Sequence, residues 1–323
     1  MISTSRWLPF EKPLQEIEEQ ITQLEEYTAT HGIDRSEKIE SMRKKHAKLC
    51  EEIFSNLSAW DNTLLARHPN RPYTLDYLEM ICDDFIELHG DRRFGDDAAI
   101  VAGIGRIAGR SMMIIGHQKG RDVKERQFRN FGSARPEGYR KAMRLMELAE
   151  RRNLPIICFI DTPAAEARLE AEERGISEAI AACMALMSRM RVPIIVTVIG
   201  EGGSGGALGI AVGNYVTMLE HSIYSVIPPE GCAAILDTFG RDGSRGSEAA
   251  AALKITAQDN LALGIIDEVI PEPVGGAHRK PNETAALIKA SILQNLKKLE
   301  KMSPDELAEH RYARFRRIGQ FQE

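Results

Sequence analysis

Residues 199–210 read IGEGGSGGALGI, with glycine at 200, 202, 203, 205, 206 and 209, directly after the apolar run VPIIVTV. Glycine is used where the backbone must turn sharply or approach another group closely, and it weakens a regular element by roughly 0.5–1 kcal/mol relative to alanine. A glycine cluster at the end of a strand therefore points to a site made of main chain. Strand, glycine turn and helix in succession aim backbone N–H groups and the positive helix end at one point, which favours an anion or an incipient oxyanion. The N–H groups of Gly205, Gly206 and Ala207 are the expected oxyanion donors, and Gly202 and Gly203 are expected to line the substrate.

Other chemistries compete for the same residues. A Walker phosphate loop needs a lysine after its glycines, and none follows here. A weaker nucleotide-like stretch, Gly103-Ile104-Gly105-Arg106-Ile107-Ala108, leads into a strand and not a helix, so it fails its own context. Gly202-Gly203-Ser204-Gly205-Gly206 satisfies G-x-S-x-G, the nucleophile elbow of serine hydrolases, with Asp237 or Asp267 and then His278 or His310 in triad order. Glycine-rich sequence meets that pattern easily.

Between Lys119 and Arg144 stand nine basic residues (Lys119, Arg121, Lys124, Arg126, Arg129, Arg135, Arg140, Lys141, Arg144) against three acidic ones. The run reads either as a solvated face or as a positive patch that steers an anionic substrate, guanidinium groups being suited to phosphate. Lys119, Arg121 and Arg135 are expected to contact the substrate. His117 reads as a satisfied, partly buried histidine, and Asp161 as a cap for the segment after its strand.

These residues need positioning elements. AIVAGIGRI and SMMIIGHQ, joined at Ala108-Gly109-Arg110, read as a β-hairpin. LPIICFIDTP and VPIIVTVIGEG are fully apolar strands on either side of a helix with Leu169, Ile176, Ile180, Cys183, Met187 and Met190 on one face, and PEGYRKAMRLMELAERRN is a helix begun by Pro136. Short apolar strands alternating with amphipathic helices call for β-α-β units and a sheet covered on both faces. A further helix is expected from Ala207, then the strand SIYSVI, a break at Pro228-Pro229, a helix through CAAILDTF and the strand LGIIDEVI. Heptad-like spacing of Leu14, Ile17, Ile21 and Leu24, and of Ile39, Met42, His46, Leu49 and Ile53, broken at His31–Asp34, predicts an N-terminal helical hairpin. The chain closes in helices, one opened by the capping box Ser303-Pro304-Asp305-Glu306.

Composition bounds the rest. With 42 Lys plus Arg against 47 Asp plus Glu, the net charge of −5 gives the 323-residue chain no overall pull toward nucleic acid or an anionic membrane. The five cysteines are an odd number, widely spaced and without a C-x-x-C pair, which argues against a disulfide framework and a zinc knuckle. No stretch has the length and apolarity of a signal peptide or a membrane span, and a cytoplasmic protein is expected.

Taken together, RHPNRPYTLDY, ELHGDR, MIIGHQKGR, RNFGSARPEGYRKAMRLMELAER, FIDTP, AEERG, VIGEGGSGGALGI, YSVIPPEGCA, VIPEPVGGAHR and HRYARF give the chain a collinear resemblance to the α subunit of bacterial acetyl-CoA carboxylase carboxyltransferase. The resemblance implies a crotonase-like α/β fold, a spiral of ββα units with an N-terminal helical hairpin (1–70), a core (71–275) and a C-terminal helical segment (276–323). It implies a partner β subunit in an α2β2 assembly, with a biotin carboxyl carrier protein and a biotin carboxylase. The implied reaction moves a carboxyl group from carboxybiotin, presented as a substrate by its carrier, to acetyl-CoA, giving malonyl-CoA for fatty acid biosynthesis. No covalently bound cofactor, no metal, no membrane and no nucleic acid is expected, whereas ATP and nucleotide binding are. Gly205, Gly206 and Ala207 would then hold the biotin oxyanion, and the β subunit would supply the hole for the thioester.

One departure stands out. After Asp-Thr-Pro the family pattern reads Gly-Ala-Tyr-Pro-Gly, but this chain has Ala164-Ala165-Glu166-Ala167-Arg168. Good helix-forming sequence predicts that the next helix extends back to about Pro163, placing Glu166 or Arg168 at the biotin entrance. A chain impaired in catalysis that keeps an assembly role is the alternative this departure raises.

Overall fold

A computed structural model describes residues 7–319. The chain begins with α1 (Lys12–His31) and α2 (Ser36–Phe54), an antiparallel pair whose first helix ends on Gly32 in the left-handed conformation at φ 65°. The predicted hairpin is therefore present. Short helices α3 (Ala59–Ala66) and α4 (Thr74–Ile81) lead into β1 (Asp84–Glu87), β2 (Ile100–Ile107) and β3 (Arg110–His117). The β2–β3 hairpin turns on Ala108 and Gly109 at φ 50° and 75°, the left-handed pair of a type I′ turn, whose twist matches that of the strands.

Next come α5 (Val123–Phe128), α6 (Pro136–Arg151), β4 (Ile156–Thr162), α7 (Leu169–Glu173), α8 (Ile176–Arg189), β5 (Ile194–Gly203) and α9 (Ser204–Leu208). After them run β6 (Tyr215–Leu219), β7 (Ile223–Ser225), α10 (Pro229–Ile235), α11 (Gly246–Leu253), α12 (Ala257–Ala262), β8 (Glu268–Ile270), α13 (Pro281–Leu299) and α14 (Pro304–Arg316). The strands form one sheet in the order β1-β2-β3-β4-β5-β6-β8, antiparallel up to β3 and parallel from β3 onward, with β7 paired to the far end of β5.

The apolar strands are apolar because both sheet faces are covered. On one side α6 and α8 bring Tyr139, Leu145, Met146, Cys183 and Met187 onto Ile156, Cys158 and Ile194. On the other, α4 and α13 bring Tyr77, Ile81, Ile288, Ile292 and Leu296 onto Ile157, Phe159 and Ile195. At α14 the predicted capping box is made: Ser303 Oγ accepts the Glu306 N–H at 3.3 Å and a Glu306 carboxylate oxygen accepts the Ser303 N–H at 2.7 Å. Expected segment bounds of 1–70 and 276–323 run past the described residues.

Two expectations need correction. The helix expected from Ala207 starts earlier, at Ser204, and is only five residues long. Strand β6 comes after it unpredicted, because Asn214 locks this stretch beside β5: its Oδ1 accepts the Ile194 N–H at 3.1 Å and its N–H meets the Ile194 carbonyl at 2.8 Å. Second, residues 164–168 are not helical, and α7 begins at Leu169. Propensity loses to local bonds there: the Glu166 N–H goes to the Ala134 carbonyl at 2.9 Å, and its carboxylate accepts the N–H groups of Ala167 and Arg168 at 3.0 and 3.1 Å. Glu166 thereby holds Arg168 extended, at ψ 163°, as the residue before the helix.

Candidate active site

At the end of β5 the glycines are explained by close approach. A Cβ on Gly203 would lie 1.9 Å from the Pro163 carbonyl oxygen, one on Gly206 2.4 Å from the Ala165 nitrogen, and one on Gly202 2.5 Å from the Tyr224 ring. So the turn is pressed against residues 163–165 on one side and Tyr224 on another. Gly205 differs, with Ile180 at 3.7 Å as its nearest neighbour, an ordinary contact.

The first four N–H groups of a helix have no acceptor within it. In α9 these belong to Ser204, Gly205, Gly206 and Ala207. The Tyr139 hydroxyl, fully buried under α9, donates to the Gly206 carbonyl at 3.0 Å. Because a trans peptide sets C=O and N–H on opposite sides of one plane, that bond also fixes the direction of the Ala207 N–H. A cavity of about 370 Å³ opens beside Ser204 and Gly205, walled by Leu208, Tyr224, Val226 and Phe315.

Under the turn lies a buried ionic network that the sequence reading missed. Lys119 Nζ reaches Asp161 at 2.8 Å and Glu201 at 2.6 Å, and Glu201 also pairs with Arg67 at 2.5 Å. Burial disfavours charge on each member; attraction outweighs it at Lys119, raised above the ordinary lysine value, and at Glu201, held down to about 2, whereas burial prevails at Asp161 and pushes its carboxyl up. Asp161 does not cap the segment after its strand. Its Oδ1 accepts the Glu201 N–H at 2.9 Å, and it fills the space a Gly200 side chain would need, with Oδ1 2.4 Å from the position of a Cβ. Nothing in residue spacing announces this network, since Arg67, Lys119, Asp161 and Glu201 come from separate elements.

His117 is also corrected. It is fully buried and not partly so, and its ring lies against the backbone of Phe159 and Gly206. Burial pushes its pKa down to about 3, keeping the ring neutral.

The structure disperses the basic run. Arg121 donates to the Pro69 carbonyl at 2.7 Å, pairs with Asp76 and lies over the Tyr73 ring. Lys141 is buried between Asp96 and the Asp97 carbonyl at 2.7 and 2.8 Å, while Arg129 and Arg144 bond to main-chain carbonyls. Arg135 stands half-buried before α6, its N–H on Asp97 at 2.7 Å. Of the three expected contacts, only Lys119 is tied directly to the glycine turn.

A hydrolase triad does not assemble. Ser204 does sit in a left-handed backbone, φ 50°, as an elbow would. Its expected partners go elsewhere: Asp237 to Arg241, Asp267 to Arg314, and His278 to Glu11, while no hydrogen bond joins His310 to Ser204. Glu11, His68 and His278 could each offer a metal-ligating atom, all within 4.8 Å. Arg279 takes the same Glu11 oxygen as His278, at 3.1 Å, so the group serves as an ion-paired joint between the N-terminal arm and the segment before α13.

The sequence pattern of the family described as acetyl co-enzyme A carboxylase carboxyltransferase-like matches residues 7–319. The acetyl-coenzyme A carboxylase carboxyl transferase subunit alpha of Acaryochloris marina is 55% identical over 314 residues, spanning 97% of this chain and 96% of that protein. Its counterpart from Bordetella avium is 53% identical over 98% of each. The chain belongs to the acetyl-CoA carboxylase carboxyltransferase α-subunit family.

Solved structures agree on the crotonase-type carboxyltransferase fold. A Pseudomonas malonate decarboxylase hetero-tetramer in complex with coenzyme A aligns with TM-score 0.58 and 17% identity, over 75% of this α-subunit chain and 96% of that one. Transcarboxylase 12S, solved with methylmalonyl-coenzyme A, aligns with TM-score 0.53 and 21% identity, over 69% of this chain and 42% of that one. The family description and the relatives' names speak of carboxyl transfer, so the expected ATP and nucleotide binding finds no support in them. No helix of the described residues is long and apolar enough to cross a membrane.

Proposed function

We propose that this α-subunit chain supplies half of a carboxyltransferase site, in the cytoplasm, in an α2β2 assembly that takes a carboxyl group from carboxybiotin on a carrier protein, charged by a biotin carboxylase, to acetyl-CoA. As CO2 leaves the biotin nitrogen, the bonding electrons delocalise onto the ureido oxygen, which the N–H groups of Gly205, Gly206 and Ala207 receive. The freed nitrogen takes a proton from the acetyl methyl group, and the resulting enolate attacks CO2 to give malonyl-CoA. The enolate oxygen needs a second set of donors, assigned to the β subunit. Gly202 and Gly203 bring the turn close to the substrate, and Lys119 steadies it from beneath through Asp161 and Glu201.

The observation that carries this reading is the peptide joining Gly206 to Ala207, whose carbonyl is engaged by Tyr139 so that its N–H is set without any catalytic side chain. Oxyanion donors act when they are fixed before charge develops. The altered residues 164–168, which raise the reading of an impaired scaffold subunit, form a non-helical stretch and not the expected helix. The test is malonyl-CoA formation by this chain with and without a β subunit, product being expected only when both are present.

A further inference from the structure

Asn130, Phe131 and Gly132 have φ values of 46°, 55° and 81° in succession. Glycine accepts a left-handed backbone and asparagine tolerates it, but a bulky aromatic residue is strained there. Burial does not compensate Phe131, which is 54% exposed. The surroundings hold it in place. Asn130 Nδ2 donates to the Ser133 carbonyl at 2.7 Å and to Glu166 at 2.6 Å, and Asn130 Oδ1 accepts from Arg168 at 2.8 Å. Gly132 is wedged where a Cβ would lie 2.7 Å from Lys119 Cγ and 3.2 Å from the Asp161 carbonyl oxygen.

The segment that holds Asn130 and Gly132 on either side of Phe131, residues 161–168, is also the one pressed against Gly203 and Gly206, at Pro163–Ala165. Phe131 is thus held one backbone layer from the glycine turn. Strain maintained by such contacts concentrates at ligand clamps. We propose that Phe131 is a substrate-contacting residue whose ring packs against the biotinyl bicycle while its ureido oxygen is at the glycine turn. This rests on the function proposed above. A biotinyl group carries its polar oxygen at one end and an apolar sulfur-containing ring at the other, so a neighbour one layer from the oxyanion donors meets the apolar end. The adenine of coenzyme A lies at the far end of a long chain from the reacting carbon and does not suit that distance.

The experiment uses the assembled α and β subunits and tracks carboxyl transfer from malonyl-CoA to biotinyl-lysine, together with thermal unfolding. Phe131→Gly relieves the strained backbone and removes the ring, whereas Phe131→Ala removes the ring alone. Both should raise KM for biotinyl-lysine about three- to tenfold, the range of one aromatic packing contact, with KM for malonyl-CoA unchanged. Phe131→Gly should also melt at or above the wild-type temperature. An unchanged KM for biotinyl-lysine, a raised KM for malonyl-CoA instead, or a lowered melting temperature for Phe131→Gly would each overturn the assignment. If the wild-type assembly transfers nothing to biotinyl-lysine, the proposed function itself fails, an outcome distinct from normal wild-type transfer with indifferent Phe131 variants.

Discussion

The Tyr139 hydroxyl donates to the Gly206 carbonyl at 3.0 Å, linking α6 to the first turn of α9 beneath the proposed oxyanion donors. The tyrosine ring also occupies the space a Gly209 side chain would need, with Cε1 2.5 Å from the position of a Cβ. One residue on a helix that reads as ordinary core therefore sets both the seat and the tilt of the glycine helix. Tyr139→Phe keeps the ring and deletes the bond. It should fold, lose about 1 kcal/mol of stability for the unpartnered carbonyl, and slow carboxyl transfer about tenfold or more. Unchanged turnover would show that the peptide is held without the hydroxyl.

Gly206 and Gly205 should respond oppositely to a side chain. A Cβ on Gly206 meets backbone atoms of Ala164 and Ala165 at 2.4 to 2.5 Å, so Gly206→Val must push the 163–165 loop away and should reduce turnover by at least about a hundredfold. The crowding arises against the loop and not within the donor site. Gly205→Ala, with 3.7 Å to its nearest neighbour, should fold and melt like wild type. Equal melting losses for the two would contradict the geometry.

Ser204 supplies main chain to the site. Ser204→Ala should keep turnover within about threefold of wild type, whereas loss of a true nucleophile costs about 10⁴-fold or more. A fluorophosphonate reagent should leave Ser204 unlabelled. Stoichiometric labelling would revive the hydrolase reading that the dispersed Asp237, Asp267, His278 and His310 speak against.

Buried, neutral His117 makes the fold sensitive to mild acid. Its folded pKa, about 3, lies below the usual histidine value, so between those limits the unfolded chain binds a proton that the native chain refuses. Stability must therefore fall with pH through this window, by up to about 1.4 kcal/mol per pH unit from this group. Carboxylates titrate little between about pH 6.5 and 5, whereas Glu201, held at about 2, adds its loss below its unfolded value near 4.5. Urea unfolding at pH 6.5, 5.5 and 5 should show the slope, and His117→Leu should reduce it. An identical slope in the variant would refute the assignment to His117.

Legibility in the sequence tracked the reach of the forces involved. The β2–β3 hairpin, the Pro-Ile-Ile strands, α6 and the Ser303 capping box rest on local periodicity and cap chemistry and appear where expected, whereas the single helix expected to run from Leu169 to Met190 is broken at Gly175, left-handed at φ 78°, into α7 and α8, with Leu169 exposed. Strand β6 was hidden because Tyr215–Leu219 is short and its placement depends on Asn214 reaching Ile194. Helix propensity pointed the wrong way at 164–168 because Glu166 finds Asn130 and Ala134, more than thirty residues earlier in the chain. The glycine cluster marked the site, yet its cause, close approach to Pro163, Ala165 and Tyr224, exists only in three dimensions. For the same reason the charges of Lys119 and Arg121 looked free in the sequence and are engaged in the fold.

The proposed mechanism divides two oxyanion sites between this chain and the β subunit. It is tested most directly by measuring malonyl-CoA formation from acetyl-CoA and carboxybiotinylated carrier with this chain alone, a purified β subunit alone, and the two combined. Product is expected only in the combined sample, and Gly206→Val should abolish it. Robust turnover by this chain alone, or no turnover by the assembled pair, would contradict the mechanism.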